Sequence, residues 1–120
     1  MSTTNQTNLM IYQKYLELVY YTYDILKKYP KSETFALVKE IKSDLFNGLR
    51  LLMYAIKVYS KKDKLNYLNE FDITLNLLKI HIRLSSKYKY ISLQNYNTWS
   101  NLVTNICNML GAWISSCLKK

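Results

Sequence analysis

Apolar residues recur along this chain at spacings of three and four, the repeat that places side chains on one face of an α-helix. The pattern predicts four helices. The first spans about Leu9 to Tyr29. In it Leu9, Tyr12, Leu16, Val19, Tyr23 and Leu26 form one stripe, and Ile11, Tyr15, Leu18, Ile25 and Tyr29 form a second beside it. Two adjoining stripes give the wide apolar face needed by a helix that packs against more than one neighbour. Pro30 ends this helix, because a proline pushes the residue before it out of the helical region. Lys27 and Lys28 complement the helix dipole in its last turn. Ser32 is then expected to cap a second helix, with Glu33 in its first turn.

The second helix runs to about Tyr59. Val38, Ile41, Leu45, Gly48, Leu52, Ala55 and Tyr59 make its main stripe, widened by Phe46, Leu49, Met53 and Ile56. Residues 60–64 hold no apolar side chain and read as a turn, with Asp63 as the expected cap of a third helix. Leu65, Leu68, Phe71, Leu75, Leu78 and Ile82 carry that helix to about Lys87. After a connection over 87–91, Ser92 is the expected cap of a fourth helix, whose repeat is Tyr96, Trp99, Val103, Ile106, Leu110, Trp113 and Cys117. Short connections between long helices force consecutive helices to pack side by side. The expected fold is therefore all-α, an antiparallel up-and-down four-helix bundle over residues 9–120, preceded by a disordered polar tail at 1–8.

Composition supports this reading. The 120 residues include one proline and two glycines, too few for the tight turns of a sheet-rich fold. A chain of this length buries a core without help from metals or disulfides. Cys107 and Cys117 are ten apart, about 15 Å along one helix, which is beyond the reach of a disulfide. Free thiols and a cytoplasmic location are expected. No basic and apolar leader opens the chain. No window holds the ~18 consecutive apolar residues of a membrane span, so no membrane partner is expected. Gly48 and Gly111 fall inside helices, at a cost of about 1 kcal/mol each relative to alanine. Close approach of a neighbour is the expected reason, more so for Gly111.

The fourth helix carries no charge between Tyr90 and Leu118. A long uncharged helix is more often covered on two sides, and interface centres are poor in charge and rich in aromatics. Tyr96, Trp99, Asn101, Asn105, Asn108 and Trp113 are therefore the expected subunit interface.

The net charge of +9 comes from 17 basic and 8 acidic residues and points to a polyanionic partner, most simply nucleic acid, or else an acidic protein or membrane surface. Residues 61–90 carry the largest share, and no acid occurs in 73–90. Lys79, Arg83 and Lys87 are four apart and so share one face of the third helix. Lys39, Lys42, Arg50 and Lys57 lie near one line of the second. These seven are the candidate nucleic-acid contacts, suited to phosphates rather than to base edges.

Residues for catalysis are missing. One histidine, His81, has Leu78 three residues before it, so the Glu-x-x-His unit of a di-iron bundle fails. One histidine and two distant cysteines make no zinc site. Nothing near Cys107 in sequence lowers its pKa. Both glycines are helical, which rules out a phosphate loop. No enzyme activity, metal or cofactor is expected.

Three segments resemble a known family. The run Tyr23-Asp24-Ile25-Leu26-Lys27-Lys28-Tyr29-Pro30-Lys31-Ser32-Glu33-Thr34-Phe35-Ala36-Leu37 is similar to the helix-one to helix-two junction of the four-helix-bundle protein family. The closing segments Ile91-Ser92-Leu93-Gln94-Asn95-Tyr96 and Met109-Leu110-Gly111-Ala112-Trp113-Ile114 agree with it. That family includes the accessory variability determinant of diversity-generating retroelements and proteins encoded in intervening sequences of bacterial large-subunit rRNA genes. Thr34, Val38 and Ala112 depart from its usual residues. The resemblance implies a basic homo-oligomer, a pentameric ring. Its implied partners are the element's reverse transcriptase and its template RNA or cDNA, in adenine-mutagenic cDNA synthesis. The alternative is a structural homo-oligomeric bundle of the rRNA intervening-sequence type without a polymerase partner. Gene neighbourhood separates the two.

Overall fold

The computed structural model describes the backbone of residues 3–119 and the side chains of residues 8–119. Four helices form it: α1 (Thr3–Leu26), α2 (Leu37–Lys57), α3 (Lys61–Lys87) and α4 (Leu93–Leu118). A single 3-10 turn, Lys31–Glu33, joins α1 to α2. The fold is all-α, as the periodicity predicts. Of the expected tail, residues 1 and 2 lie outside the described residues, and 3–8 are already helical.

Cap residues explain the helix boundaries. Ser92 caps α4 as expected, its hydroxyl accepting the Asn95 N–H at 3.0 Å. Ser60, not Asp63, caps α3, and it accepts the Asp63 N–H at 3.1 Å. Ser32 caps nothing, because it lies within the 3-10 turn. Glu33 replaces it, its carboxylate accepting the Leu37 N–H at 3.3 Å, so α2 begins four to five residues later than the sequence suggests. Lys64 donates to the Ala55 carbonyl at 2.8 Å and satisfies an orphan acceptor at the end of α2. Beyond α3, Tyr90 N–H bonds the Ser85 carbonyl and Lys89 N–H bonds that of Ser86, the paired bonds of a Schellman motif. Lys89 occupies its left-handed position at φ 61°.

The helices pack in the order α2, α3, α4, α1, with only slight contact between α1 and α2. Paired residues run in opposite directions along neighbours. Asp44 meets His81 and Tyr54 meets Tyr67 between α2 and α3, while Lys61 reaches the Lys119 carbonyl between α3 and α4. The second of the two α1 stripes, Ile11, Tyr15, Leu18, Ile25 and Tyr29, is buried throughout, and the first contributes Val19 and Leu26 to the core while Leu9 and Tyr23 stay exposed. Trp99 is fully buried and donates its Nε1–H to Thr22 at 3.0 Å, which fixes α4 against α1. Burial pushes the Tyr29 phenol up to about 12, with its bond to Ser85 opposing that shift.

Tyr15 is the main link from α1 to α2. It is fully buried, donates to the Leu45 carbonyl at 2.7 Å, and packs on Phe71 of α3 with ring centroids 5.3 Å apart. Gly48 makes room for it, since a Cβ there would collide with the Tyr15 hydroxyl. Gly111 faces open space, with nothing within 4 Å of where a Cβ would stand, so the close approach expected there occurs at Gly48 instead. Gly48→Ala is expected to lose about 2 kcal/mol through overpacking and displacement of the Tyr15 hydrogen bond. Gly111→Ala is expected to gain about 1 kcal/mol of helix propensity. Urea denaturation of both variants checks the opposite signs.

Candidate nucleic-acid interface

The rotation of α3 decides where its cations point. His81 Nε2 lies 2.7 Å from Asp44 Oδ2, so that side of α3 faces α2. Two residues back is about 200° around a helix. Lys79 accordingly lies at the opposite seam, against Cys107 of α4. Arg83 and Lys87 continue from Lys79 at four-residue steps, spanning roughly 12 Å at 1.5 Å per residue. Both are exposed, and Lys79 is half-buried.

The other four cations occupy a different surface. Lys42 lies over the Tyr23 ring of α1, 5.0 Å from its centroid, and Phe46 packs edge-on to the same ring at 6.1 Å. Lys39, Lys42 and Arg50 line one depression of about 500 Å³, and Arg50 and Lys57 line the next, of about 460 Å³. The seven candidates therefore form two groups on different sides of the bundle, one at the α1–α2 seam and one at the α3–α4 seam. Ion pairs among the described residues join Lys14 to Glu17 and Lys27 to Asp24, His81 shares a hydrogen bond with Asp44, and none of these involves the seven.

On its outer face, away from the core, α4 presents Asn101, Asn105 and Asn108 to solvent, with Thr104 between them. Tyr96 is half-buried. Trp99 and Trp113 are 0% and 2% exposed, so these two are corrected from interface to core. Their size made them natural interface residues in the sequence, but their spacing is that of the core stripe. Tyr88 is exposed beside Lys87. Tyr90 is held by its hydroxyl bond to Glu33 at 3.0 Å, which raises its pKa, and by Tyr29 with ring centroids 5.5 Å apart. Thus Glu33 both caps α2 and anchors the α3–α4 turn. Phe35, in the same motif, is 89% exposed, a prominence that its apolar character hid in the sequence.

Among the described residues no group of three or more His, Cys, Asp or Glu could hold a metal. No helix of the described residues is long and apolar enough to cross a membrane. Both cysteines are free. Burial pushes the Cys107 thiol up, against an opposing pull from Lys79. His81 faces the other side of α3, so Cys107 has no histidine partner from that residue.

A family model described as bAvd-like matches residues 9–117, and the chain belongs to that family. No curated protein matches it. The match reaches all four helices and includes the three segments that carry the resemblance.

The Cys107 environment makes a prediction of its own. In a Cys117→Ala background, Cys107 should react with a disulfide reagent more slowly than free cysteine at neutral pH. Lys79→Ala should slow it further, because the nearby cation is what favours the thiolate. A stopped-flow thiol titration across pH measures both.

Proposed function

We propose that this chain is a non-enzymatic accessory protein of a diversity-generating retroelement. In this reading it binds nucleic acid as a homo-oligomer and cooperates with the element's reverse transcriptase in mutagenic cDNA synthesis. Membership of the bAvd-like family supports the role. The observation that carries the nucleic-acid part is the stripe Lys79, Arg83 and Lys87, outside the ion pairs of the described residues and beside the uncharged outer face of α4. Cations with no carboxylate to satisfy them gain most from phosphate, because binding releases the counterions condensed on the nucleic acid. The uncharged α4 beside the stripe brings none of the repulsion that acids would. Such contacts position a strand without reading its bases. That suits an accessory that must act along a template whatever its sequence.

The test is a salt titration of RNA binding for the wild type and for Lys79→Ala/Arg83→Ala/Lys87→Ala, with circular dichroism confirming the fold of both. Removal of three phosphate contacts should lower the slope of log affinity against log salt by about two to three. Sequence preference should stay unchanged. In reconstituted reactions with the cognate polymerase and template RNA, the triple variant should support less cDNA synthesis than the wild type. Equal slopes and affinities in the folded variant would assign the stripe to solvent alone.

A further inference from the structure

Contacts to phosphate serve paired and unpaired strands alike. A feature that separates the two lies at the end of the bundle where α2 begins and α3 ends. Glu33, Leu37, Leu84, Tyr88 and Tyr90 line a cavity of about 330 Å³ there, at the small end of the range for ligand pockets. Leu37 and Leu84 give it an apolar lining. Tyr88 is 59% exposed. Across the left-handed turn at Lys89 its ring lies 6.2 Å from that of Tyr90, inclined by 29°. Tyr90 is fixed in turn by the Tyr29 ring and by its bond to Glu33. The cavity therefore holds a bare aromatic ring on a rigid support.

Glu33 supplies the polar group. Its Oε1 accepts the Leu37 N–H at 3.3 Å, and its Oε2 accepts the Tyr90 O–H at 3.0 Å. An ionised carboxylate has about four acceptor positions, so about two remain, and it has no donor to offer. The Watson–Crick edge of every base carries at least one N–H, which a duplex already uses and an unpaired base leaves free. The rim has the opposite charge. Lys31 stands two residues before Glu33, and Lys87 and Lys89 flank Tyr88. All three are exposed and outside the ion pairs of the described residues. Glu33 is the one acid in residues 25–39, and none occurs in 73–118. A ligand that fits is flat and aromatic, bears an N–H at its inner edge and is anionic outside. A nucleotide within a strand has that form, whereas a cationic peptide side chain would meet like charge at the rim.

We propose that this cavity takes one unpaired base of a nucleic-acid strand, stacked on Tyr88 with its Watson–Crick edge at Glu33. This rests on the nucleic-acid part of the proposed function and adds a means of telling single strands from duplex. Stacking accepts any base, because every base has a π-face. The Glu33 carboxylate is equally tolerant, since each base has an N–H to give. Phosphates on either side of the stacked base face Lys31, Lys87 and Lys89, and Lys87 also belongs to the stripe of α3.

The experiment measures fluorescence anisotropy of a short labelled RNA, single-stranded and annealed to its complement. The proteins are the wild type, Tyr88→Ala and Tyr88→Phe, each checked by circular dichroism. Tyr88→Ala should weaken binding of the single strand about fivefold or more, the low end for one stacked base, and leave duplex binding unchanged. Its salt slope should match the wild type, because no cation is lost. Tyr88→Phe keeps the ring and should match the wild type on both probes. Equal single-strand affinity of the wild type and folded Tyr88→Ala overturns the proposal. So does an equal loss on both probes, or a Tyr88→Phe as weak as Tyr88→Ala. Ultraviolet crosslinking of the wild type to the single strand, mapped by mass spectrometry, reads the contact without a variant. Adducts should include Tyr88, and adducts confined to other residues overturn the proposal. A wild type that binds neither probe removes the nucleic-acid reading as well, so the two failures are distinguishable.

Discussion

The structure depends on one close approach, the Tyr15 side chain passing over Gly48 to the Leu45 carbonyl. The α1 helix packs mainly on α4, through Trp99 and Thr22 and through Asn95, whose amide donates to the Tyr21 hydroxyl at 3.1 Å. Beside Tyr15, α1 is held to α2 by Tyr23, which packs against Lys42 and Phe46 near the surface. A buried phenol that keeps its hydrogen bond contributes both packing area and about 1 kcal/mol of net bonding. It does so only because position 48 has no Cβ. The same arrangement leaves the outer part of the α1–α2 seam unfilled, so the open groove follows from how α1 is seated.

The α3 helix carries different chemistry on each of its sides. Its inner face, including Phe71, Leu75, Leu78 and Ile82, is core. His81 ties it to Asp44 of α2, and Lys79 begins a cationic stripe along the α4 seam. Its outward line is aliphatic. This division keeps the cations of α3 apart from its core face, which is what the proposed contact with a polyanion requires. An uncharged α4 complements it, since carboxylates there would pair with Arg83 and Lys87 and remove the surplus charge that phosphate needs.

Much of this was legible in the sequence, because a 3.6-residue period needs no knowledge of neighbours. The four helices, the Pro30 stop and the Ser92 cap follow from local chemistry, and so does the sharing of one face by Lys79, Arg83 and Lys87. What failed required knowing which way each helix is turned. Two apolar stripes adjoin on α1, and only the packing shows that Val19 and Leu26 of the first join the core while its Leu9 and Tyr23 are left exposed. Phe46 and Met53 look like a widened core face, yet the slight α1–α2 contact leaves them exposed. The bulk of Trp99 and Trp113 suggested an interface, but their spacing already placed them with Val103, Ile106 and Leu110. Ser32 resembles a cap, and it loses to the Glu33 carboxylate one residue later, whose reach to Leu37 no local pattern reveals.

The central claim is that nucleic acid contacts this protein along the α3–α4 seam. Lysine acetylation footprinting with mass-spectrometric readout, with and without RNA, locates the contact directly. Lys79 and Lys87 should lose reactivity in the complex. Lys14 on α1 and Lys27 just beyond its end, each paired with its own carboxylate, should keep theirs. Protection confined to α1, or equal at all four lysines, would contradict the assignment.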